Sequence, residues 1–165
     1  MKINEILNEC KKELDDLKIP YAKGINEVVV NNKLSTTIAR CCKDKGRYSI
    51  EVSSIMTDAT ATKREVKQVL IHELLHSVYG AFAHNSTWYS YVDKVNRAYG
   101  YDIARCGSLA RFKVNDYKKH GYNYMIECTN CGAKYYSKQK HKSHNHLERC
   151  YCTDCKKYAL KLIIL

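Results

Sequence analysis

Residues 69–88 of this chain contain the pattern H-E-x-x-H, which has a chemical meaning when it lies on an α-helix. Residues four apart on a helix share one face, with their Cβ atoms about 5–6 Å apart. His72 and His76 can therefore bind one zinc ion together, each through a ring nitrogen at about 2.0–2.1 Å. Glu73 is placed to contact a water molecule instead of the metal. The segment thus predicts a helix that carries a zinc site.

The alternative is that these are two ordinary helix histidines beside a solvated glutamate. Apolar residues lie on more than one side of the helix, which predicts that the helix is buried. These residues are Val66, Val69, Leu70, Ile71, Leu74, Leu75 and Val78. Buried histidine and glutamate side chains are rarely left without partners. We therefore favour the metal interpretation, in which zinc satisfies them.

A catalytic zinc site normally has three protein ligands and one open position. His84 is the candidate third ligand, because it follows a short connection that contains Gly80. Ser86 and Thr87 come next and predict the start of a second helix. The alternative for His84 is a histidine in a surface loop. The expected order is active helix, turn, ligand and second helix.

The segment from His72 to Arg105 resembles the core of the SprT-like zinc metalloproteases, including their short bacterial and phage-type members. That family has H-E-x-x-H, a third His usually followed by Gly, an aromatic residue, and an Asn near the end of the next helix. The matching positions here are His72, Glu73, His76, His84, Trp88 and Asn96, with Asn85 in place of the usual Gly. The resemblance implies a zincin-like fold and zinc metalloendopeptidase activity.

Two C-x-x-C pairs form the second motif, Cys128 with Cys131 and Cys152 with Cys155. Twenty residues separate the pairs, a spacing typical of a four-cysteine zinc ribbon. The SprT-like family also carries a C-terminal zinc ribbon, so the resemblance extends through most of the chain. We expect each pair at the tip of a β-hairpin, after residues 124–126 and after residues 149–151. Residues 160–165 would supply a closing strand.

Other possible ligands lie between and beside the two pairs. Cys150 is a spare thiol that could replace Cys152, although the C-x-x-C spacing favours Cys152. His141, His144 and His146 lie in a polar, basic loop. That loop is either a His-rich metal site or simply solvated, and the second is the expectation we adopt. The chain is therefore predicted to hold two zinc ions, one catalytic and one structural.

The rest of the chain predicts a mixture of helices and short strands. Apolar spacings of three and four predict a helix over residues 2–18. Residues 27–54 predict three strands in a meander, which would form a small, mostly antiparallel sheet. Thr62 and Glu65 fit a capping box, so the active helix is expected over residues 63–79. The next helix is expected to end near Gly100.

The fold class predicted from these elements is α+β, with a small antiparallel sheet packed on helices and a small C-terminal β zinc ribbon. We predict a SprT-like metalloprotease domain over residues 1–110, a linker over 111–122 and the zinc-ribbon domain over 123–165. Residues 101–121 show no strong periodicity, which is typical of a loop that bridges two parts.

The positive charge is concentrated near the C-terminus. The chain has a net charge of +11, and residues 111–165 contribute twelve Lys or Arg and four Asp or Glu. A concentrated basic segment points to nucleic acid. Tyrosines interleave with the basic residues and are candidates for base stacking (Tyr122, Tyr124, Tyr135, Tyr136 and Tyr151). The alternative is that these are strand residues beside a solvated surface.

Composition also bears on the setting. There is no apolar run of 18 residues, so we expect no membrane partner. The N-terminal stretch lacks the apolar run of a signal peptide, which predicts a cytoplasmic protein with reduced thiols, nucleoid-associated if it is bound to DNA. Nine cysteines in that setting suggest metal binding more than disulfides. We expect a monomer.

Glu73 is the expected general base of zinc-dependent peptide hydrolysis. The resemblance implies that the substrates are proteins bound or crosslinked to DNA, that DNA stimulates cleavage, and that the role is in DNA repair. The DNA partner is expected to be single-stranded or distorted, without sequence specificity. One alternative is a nucleic-acid-binding ribbon protein with a silent protease site. Another is a metallopeptidase that processes a free protein such as a repressor.

Overall fold

The structure is a computed structural model that describes residues 2–34, 37–57, 61–105 and 121–165. The chain divides into two compact units, residues 1–113 and residues 114–165. In the first unit the helices and strands are α1 (Ile3–Asp16), β1 (Val28–Val30), β2 (Ala39–Asp44), β3 (Arg47–Val52), a 3-10 turn (Ser54–Thr57), α2 (Lys63–His76) and α3 (Ser86–Tyr99). The predicted α+β class is confirmed.

Helix α1 packs against α2 and helps to bury it. The apolar residues of α1 that recur at spacings of three and four are all buried, as the pattern predicts (Ile3, Ile6, Leu7, Cys10 and Leu14). Lys67 of α2 forms ion pairs with Glu9 at 2.9 Å and Glu13 at 2.7 Å on α1. These contacts join the first helix to the helix that carries the histidines.

The sheet of the first unit has the strand order β1-β3-β2, so the predicted meander is wrong. Strands β2 and β3 form an antiparallel hairpin of six residue pairs, whereas β1 joins β3 in parallel through three pairs. Lys45 and Gly46 both have positive φ angles, of 44° and 80°, which suits a tight hairpin turn. The hairpin leaves one side of β3 open, and β1 takes that side. Strand β2 is therefore an outer strand.

The active helix begins as predicted and ends earlier. The Thr62 side chain accepts a hydrogen bond from the Glu65 backbone N–H at 3.2 Å, and the Glu65 carboxylate accepts from the Thr62 N–H at 2.8 Å. This is the predicted capping box. Helix α2 ends at His76, where the Ser77 hydroxyl donates to the Leu74 carbonyl at 2.6 Å. The chain then turns, and Gly80 has a φ of 77°.

Asn85 and Gly100 bound the second helix of the site. The Asn85 side chain accepts a hydrogen bond from the Trp88 backbone N–H at 3.1 Å and so caps α3. Gly100 has the left-handed conformation that ends many helices, with a φ of 64°. The predicted helix end is confirmed. The residue that stands in place of the family's usual Gly is thus the N-cap of α3.

The second unit contains β4 (Tyr124–Cys128), β5 (Lys134–Ser137), two 3-10 turns (Lys142–Asn145 and Leu147–Arg149) and β6 (Leu160–Ile164). Its sheet has the order β5-β4-β6, and both pairings are antiparallel. The predicted hairpin around the first cysteine pair and the predicted closing strand are confirmed. The strand predicted before the second pair is wrong, because a 3-10 turn occupies residues 147–149 there.

Two other expectations concern the linker and the membrane. Most of the predicted linker at 111–122 lies outside the described residues, so the boundaries at 110 and 123 stay predictions. No helix in the described part of the chain is long and apolar enough to cross a membrane.

Candidate active site and metal centres

The three histidines singled out in the sequence meet at one point in the first unit. The Nε2 atom of His72 lies 3.2 Å from that of His76 and 3.0 Å from that of His84. Ligand nitrogens about 2.0–2.1 Å from a tetrahedral zinc ion would lie about 3.3 Å apart, so this spacing fits zinc. Helix α2 presents two of these rings from one face, and the connection to α3 presents the third.

Backbone carbonyl groups orient two of the rings. The Nδ1 atom of His72 lies 3.1 Å from the Ala104 oxygen, and Nδ1 of His76 lies 3.2 Å from the Ala81 oxygen. A carbonyl oxygen can only accept, so each Nδ1 carries the proton and donates. The Nε2 lone pairs are then left free to bind a metal. Burial, together with the two neighbouring histidines, lowers the pKa of His72 to about 3, which keeps its ring neutral.

The Trp88 ring packs against all three histidine rings. The side chain is fully buried, and its ring centroid lies 4.5 to 5.5 Å from the centroids of all three histidine rings. The His76 ring is stacked on it with an interplanar angle of 18°. These contacts restrict the rotation of the rings and hold the ligand set in place.

Glu73 lies on the same helix and faces the cleft. Its side chain is only 6% exposed, and burial raises its pKa to about 7, against a hydrogen bond from the Cys41 backbone. A divalent cation at the histidines would oppose this rise, because a nearby positive charge favours the carboxylate. The structure thus places Glu73 beside the histidine cluster, and its role as the base stays a prediction.

The site opens into a cleft of about 710 Å³. Strand β2 and the residues just before it contribute residues 37–41, and the chain after α3 contributes residues 102–105. Phe82 and three further α2 residues complete the lining beside the histidines and Glu73 (Glu65, Gln68 and Val69 of the helix). None of the described residues that line the cleft is a tyrosine.

Sequence reasoning missed the part played by residues 101–105. The Asn96 side chain receives a hydrogen bond from the Ile103 N–H at 3.0 Å and donates one to the Ile103 carbonyl at 3.1 Å. The Asp102 N–H also donates to the Gln68 side chain at 2.8 Å. The segment is therefore held against α2 and α3, where Ala104 meets His72. The available signal was Asn96 itself, whose partner could not be read from the sequence.

We predict that Asn96→Ala lowers the free energy of unfolding of the first unit by about 1–3 kcal/mol, because it leaves both polar groups of Ile103 without their partner. Chemical denaturation followed by Trp88 fluorescence measures this. Asn96→Asp is the matched control. It can still accept from the Ile103 N–H but places an oxygen against the Ile103 carbonyl, so it should also be less stable than the parent if the donated hydrogen bond matters. Equal stability of all three proteins would contradict the assignment.

The four predicted cysteine ligands also come together, in the second unit. Cys128 and Cys155 have their Sγ atoms 3.6 Å apart, as do Cys131 and Cys152. Zinc–sulfur bonds of about 2.3 Å in a tetrahedron would place the sulfurs about 3.8 Å apart, so the cluster fits zinc. Cys128 and Cys152 are fully buried. Every cysteine within the described ranges has a free thiol.

The remaining candidates of this unit lie outside the cluster. Cys150 donates a weak hydrogen bond to the His146 carbonyl at 3.6 Å. His144 is buried beside Tyr124, whereas His141 and His146 are exposed, so the loop is only partly solvated. The four-cysteine group and the three-histidine group are the two clusters within the described ranges that could hold a metal through three or more ligands. Two of the tyrosines proposed for base stacking are engaged within the unit: Tyr122 is buried, and the Tyr135 hydroxyl lies 3.1 Å from the Cys152 sulfur.

The model of one protein family matches this chain, and its description is the SprT-like family. The match covers residues 3–107, which include the three histidines, Glu73, Trp88 and Asn96. No curated protein and no solved structure matches the chain.

Proposed function

The chain belongs to the SprT-like family, and we propose that it is a zinc-dependent metalloendopeptidase that cleaves proteins bound or crosslinked to DNA. That family is associated with zinc metallopeptidase activity. The observation that carries the proposal is the meeting of three histidine Nε2 atoms in a cleft that also holds the buried Glu73. The ribbon unit would contact the DNA.

The residues of the cleft suit peptide hydrolysis. A zinc ion held by His72, His76 and His84 would lower the pKa of a water molecule and polarise the substrate carbonyl. Glu73 accepts the proton of the attacking water as general base and later delivers it to the leaving amine. The Cys41 backbone lies beside the Glu73 carboxylate and lowers its pKa, against the larger rise that burial causes.

The position of strand β2 supports the proposal that the substrate is a protein. Strand β2 is an outer strand of the sheet, and residues 37–41 line the cleft beside the histidines. An extended peptide can add to such a strand through main-chain hydrogen bonds, while side-chain pockets provide selectivity. We therefore infer that the substrate lies alongside β2, with its scissile bond next to the histidine cluster.

An exposed aromatic patch on the second unit supports contact with DNA. Tyr151 and Tyr158 are 51% and 69% exposed, and their rings meet edge to face with centroids 5.9 Å apart. The Lys156 ammonium lies 5.6 Å from the Tyr151 ring centroid. We call Tyr151, Lys156 and Tyr158 the ribbon platform. Rings of this kind stack on bases, and the lysine can neutralise a phosphate.

The experiment that tests the proposal is cleavage of a generic DNA-binding protein by the full chain, with and without single-stranded DNA. We expect cleavage that requires zinc and is faster with DNA, because DNA would bring enzyme and substrate together. Cleavage at equal rates in both conditions would favour a peptidase that processes a free protein. DNA binding with no cleavage would favour a ribbon protein with a silent protease site.

The ribbon platform makes a prediction of its own. Changing Tyr151 and Tyr158 to alanine should weaken binding to single-stranded DNA by about 5- to 150-fold per tyrosine, since stacking contributes about 1–3 kcal/mol per base. Lys156→Ala should reduce the slope of log K against log salt by about 0.7, as expected for one lost phosphate contact. A fluorescence anisotropy titration at several salt concentrations measures both effects.

Tyr79→Ala is the matched control for that titration, because Tyr79 is an exposed tyrosine of the other unit. Its removal should leave DNA affinity unchanged. If the platform variants bind as tightly as the parent chain, then the ribbon platform does not contact DNA.

A further inference from the structure

The histidine cluster and Glu73 leave one requirement of peptide hydrolysis without a residue. When water adds to an amide, negative charge develops on the carbonyl oxygen. Hydrogen-bond donors placed at that oxygen are often the largest single contribution to catalysis. The chain has fourteen tyrosines that could serve in principle, yet none of the described residues lining the cleft is a tyrosine. Within the described ranges, the candidates for the donor are therefore other side chains of the cleft.

Apart from the histidines, the lining within the described ranges has four side chains with an N–H or O–H donor (Thr37, Arg40, Gln68 and Arg105). One is committed elsewhere, because the Arg40 guanidinium pairs with the Glu51 carboxylate across the β2–β3 ladder at 2.9 Å. The Gln68 side chain is partly engaged, since its oxygen accepts from the Asp102 N–H. Thr37 lies two residues before the start of β2 and carries no charge to set against that of the oxyanion.

Arg105 is placed differently, because the chain immediately before it touches a ligand. The Ala104 carbonyl accepts the Nδ1–H of His72 at 3.1 Å. Consecutive Cα atoms are about 3.8 Å apart, so the Arg105 side chain starts within one residue of that contact. Arg105 is exposed and lines the cleft.

The hydrogen bonds of Asn96 restrain the backbone close to Arg105. They hold the backbone of Ile103 on both its N–H and its carbonyl, two residues before Arg105. A donor that is already in position when charge develops needs little reorganisation, which is the condition for strong electrostatic stabilisation. An arginine can also present two parallel N–H groups to an oxygen centre.

We propose that Arg105 is a catalytic residue whose guanidinium donates hydrogen bonds to the oxyanion formed on the substrate. This rests on the proposed peptidase function. In the step, the water oxygen bonds to the carbonyl carbon, the water proton moves to Glu73, and the C=O π pair becomes the charge on oxygen. The pair then returns, the C–N bond breaks, and the nitrogen takes the proton from Glu73. Arg105 stabilises the charge that exists between these two events.

The first test is steady-state cleavage of a fluorogenic peptide by zinc-loaded full chain. Arg105→Ala should lower kcat by about 10²–10³ with KM changed only a few-fold, as found when an oxyanion donor is removed. Arg105→Lys should fall between, because it keeps the charge and loses the planar fork. Arg97→Ala is the matched control, since Arg97 is an exposed arginine of α3 outside the cleft lining. It should cleave as the parent does.

The second test measures binding without turnover, with Glu73→Gln as the parent. A phosphinic peptide carries a tetrahedral, anionic centre, whereas the matched substrate peptide carries a planar, neutral one. Adding Arg105→Ala should raise the dissociation constant of the phosphinic peptide by tenfold or more. The dissociation constant of the substrate peptide should stay nearly unchanged, since only the phosphinic peptide resembles the charged species. Isothermal titration calorimetry gives both dissociation constants.

The proposal is overturned if Arg105→Ala keeps kcat within a few-fold of the parent. It is also overturned if Arg105→Ala weakens the binding of the phosphinic peptide and of the substrate peptide equally, because Arg105 would then contribute only to ground-state binding. If the parent chain cleaves no peptide or protein while holding zinc, the peptidase proposal itself fails. The two dissociation constants then decide whether Arg105 recognises a tetrahedral anion.

Discussion

Glu73→Gln is expected to reduce peptide cleavage by about 10²–10⁴, the usual contribution of a general base, and to leave zinc content unchanged. The amide has nearly the same shape as the carboxylate but cannot accept the proton of water. An uncharged side chain also suits this position, because Glu73 is only 6% exposed. Cleavage rates and zinc content, measured on the same preparation, separate loss of chemistry from loss of fold.

Glu9→Gln is the control for that experiment, because it makes the same chemical change at a residue that pairs with lysines on the far side of α2 from the cleft lining. It should cleave at the parental rate. A Glu73→Gln protein that cleaves as fast as the parent would show that Glu73 is not the base, and the mechanism proposed above would have to be replaced.

The second large effect concerns metal removal from the ribbon. We expect two zinc ions per chain, and Cys152→Ser should remove one of them together with most of the structure of the second unit. That unit buries few large side chains, chiefly Tyr122 and Met125, so its own core is small. Structural zinc contributes about 10–16 kcal/mol of apparent binding free energy in small zinc domains, which exceeds what such a core supplies.

The position of Trp88 makes this experiment selective. Trp88 is the single tryptophan and lies in the first unit, against the three histidines. Cys152→Ser should therefore leave tryptophan fluorescence unchanged, whereas His76→Ala should change it and remove the other zinc ion. Cys150→Ser should keep both ions, since Cys150 lies outside the four-cysteine cluster. A content of one zinc that survives both Cys152→Ser and His76→Ala would contradict the two-site arrangement.

What the sequence predicted well had a local cause. The spacing of His72 and His76 places both rings on one helical face whatever surrounds them. The two cysteines of each C-x-x-C pair are close for a local reason too, because only two residues separate them. The capping box of Thr62 and Glu65 depends on four consecutive residues, and it is confirmed.

What the sequence did not predict depends on contacts between distant segments. The parallel pairing of β1 with β3 follows from which side of a hairpin remains open. The hydrogen bond of Ala104 to His72 joins residues 32 apart, and no periodicity marks it. The candidate stacking residues were also misjudged in part: Tyr122 is buried, while Tyr158, which was not singled out, is exposed. Exposure within so small a unit is decided by the metal-centred packing, not by the local pattern.

The outer position of β2 has a consequence for colloidal behaviour. A strand with free N–H and C=O groups can pair with the same strand of a second copy, which is a common start of aggregation. Arg40, Lys43 and Asp44 are exposed on β2, and such charges oppose pairing between copies. The strand proposed to bind a peptide substrate is thus protected by its charged side chains from pairing with β2 of a second copy. We expect the variant with Arg40 and Lys43 replaced by threonine to precipitate at concentrations where the parent chain stays in solution.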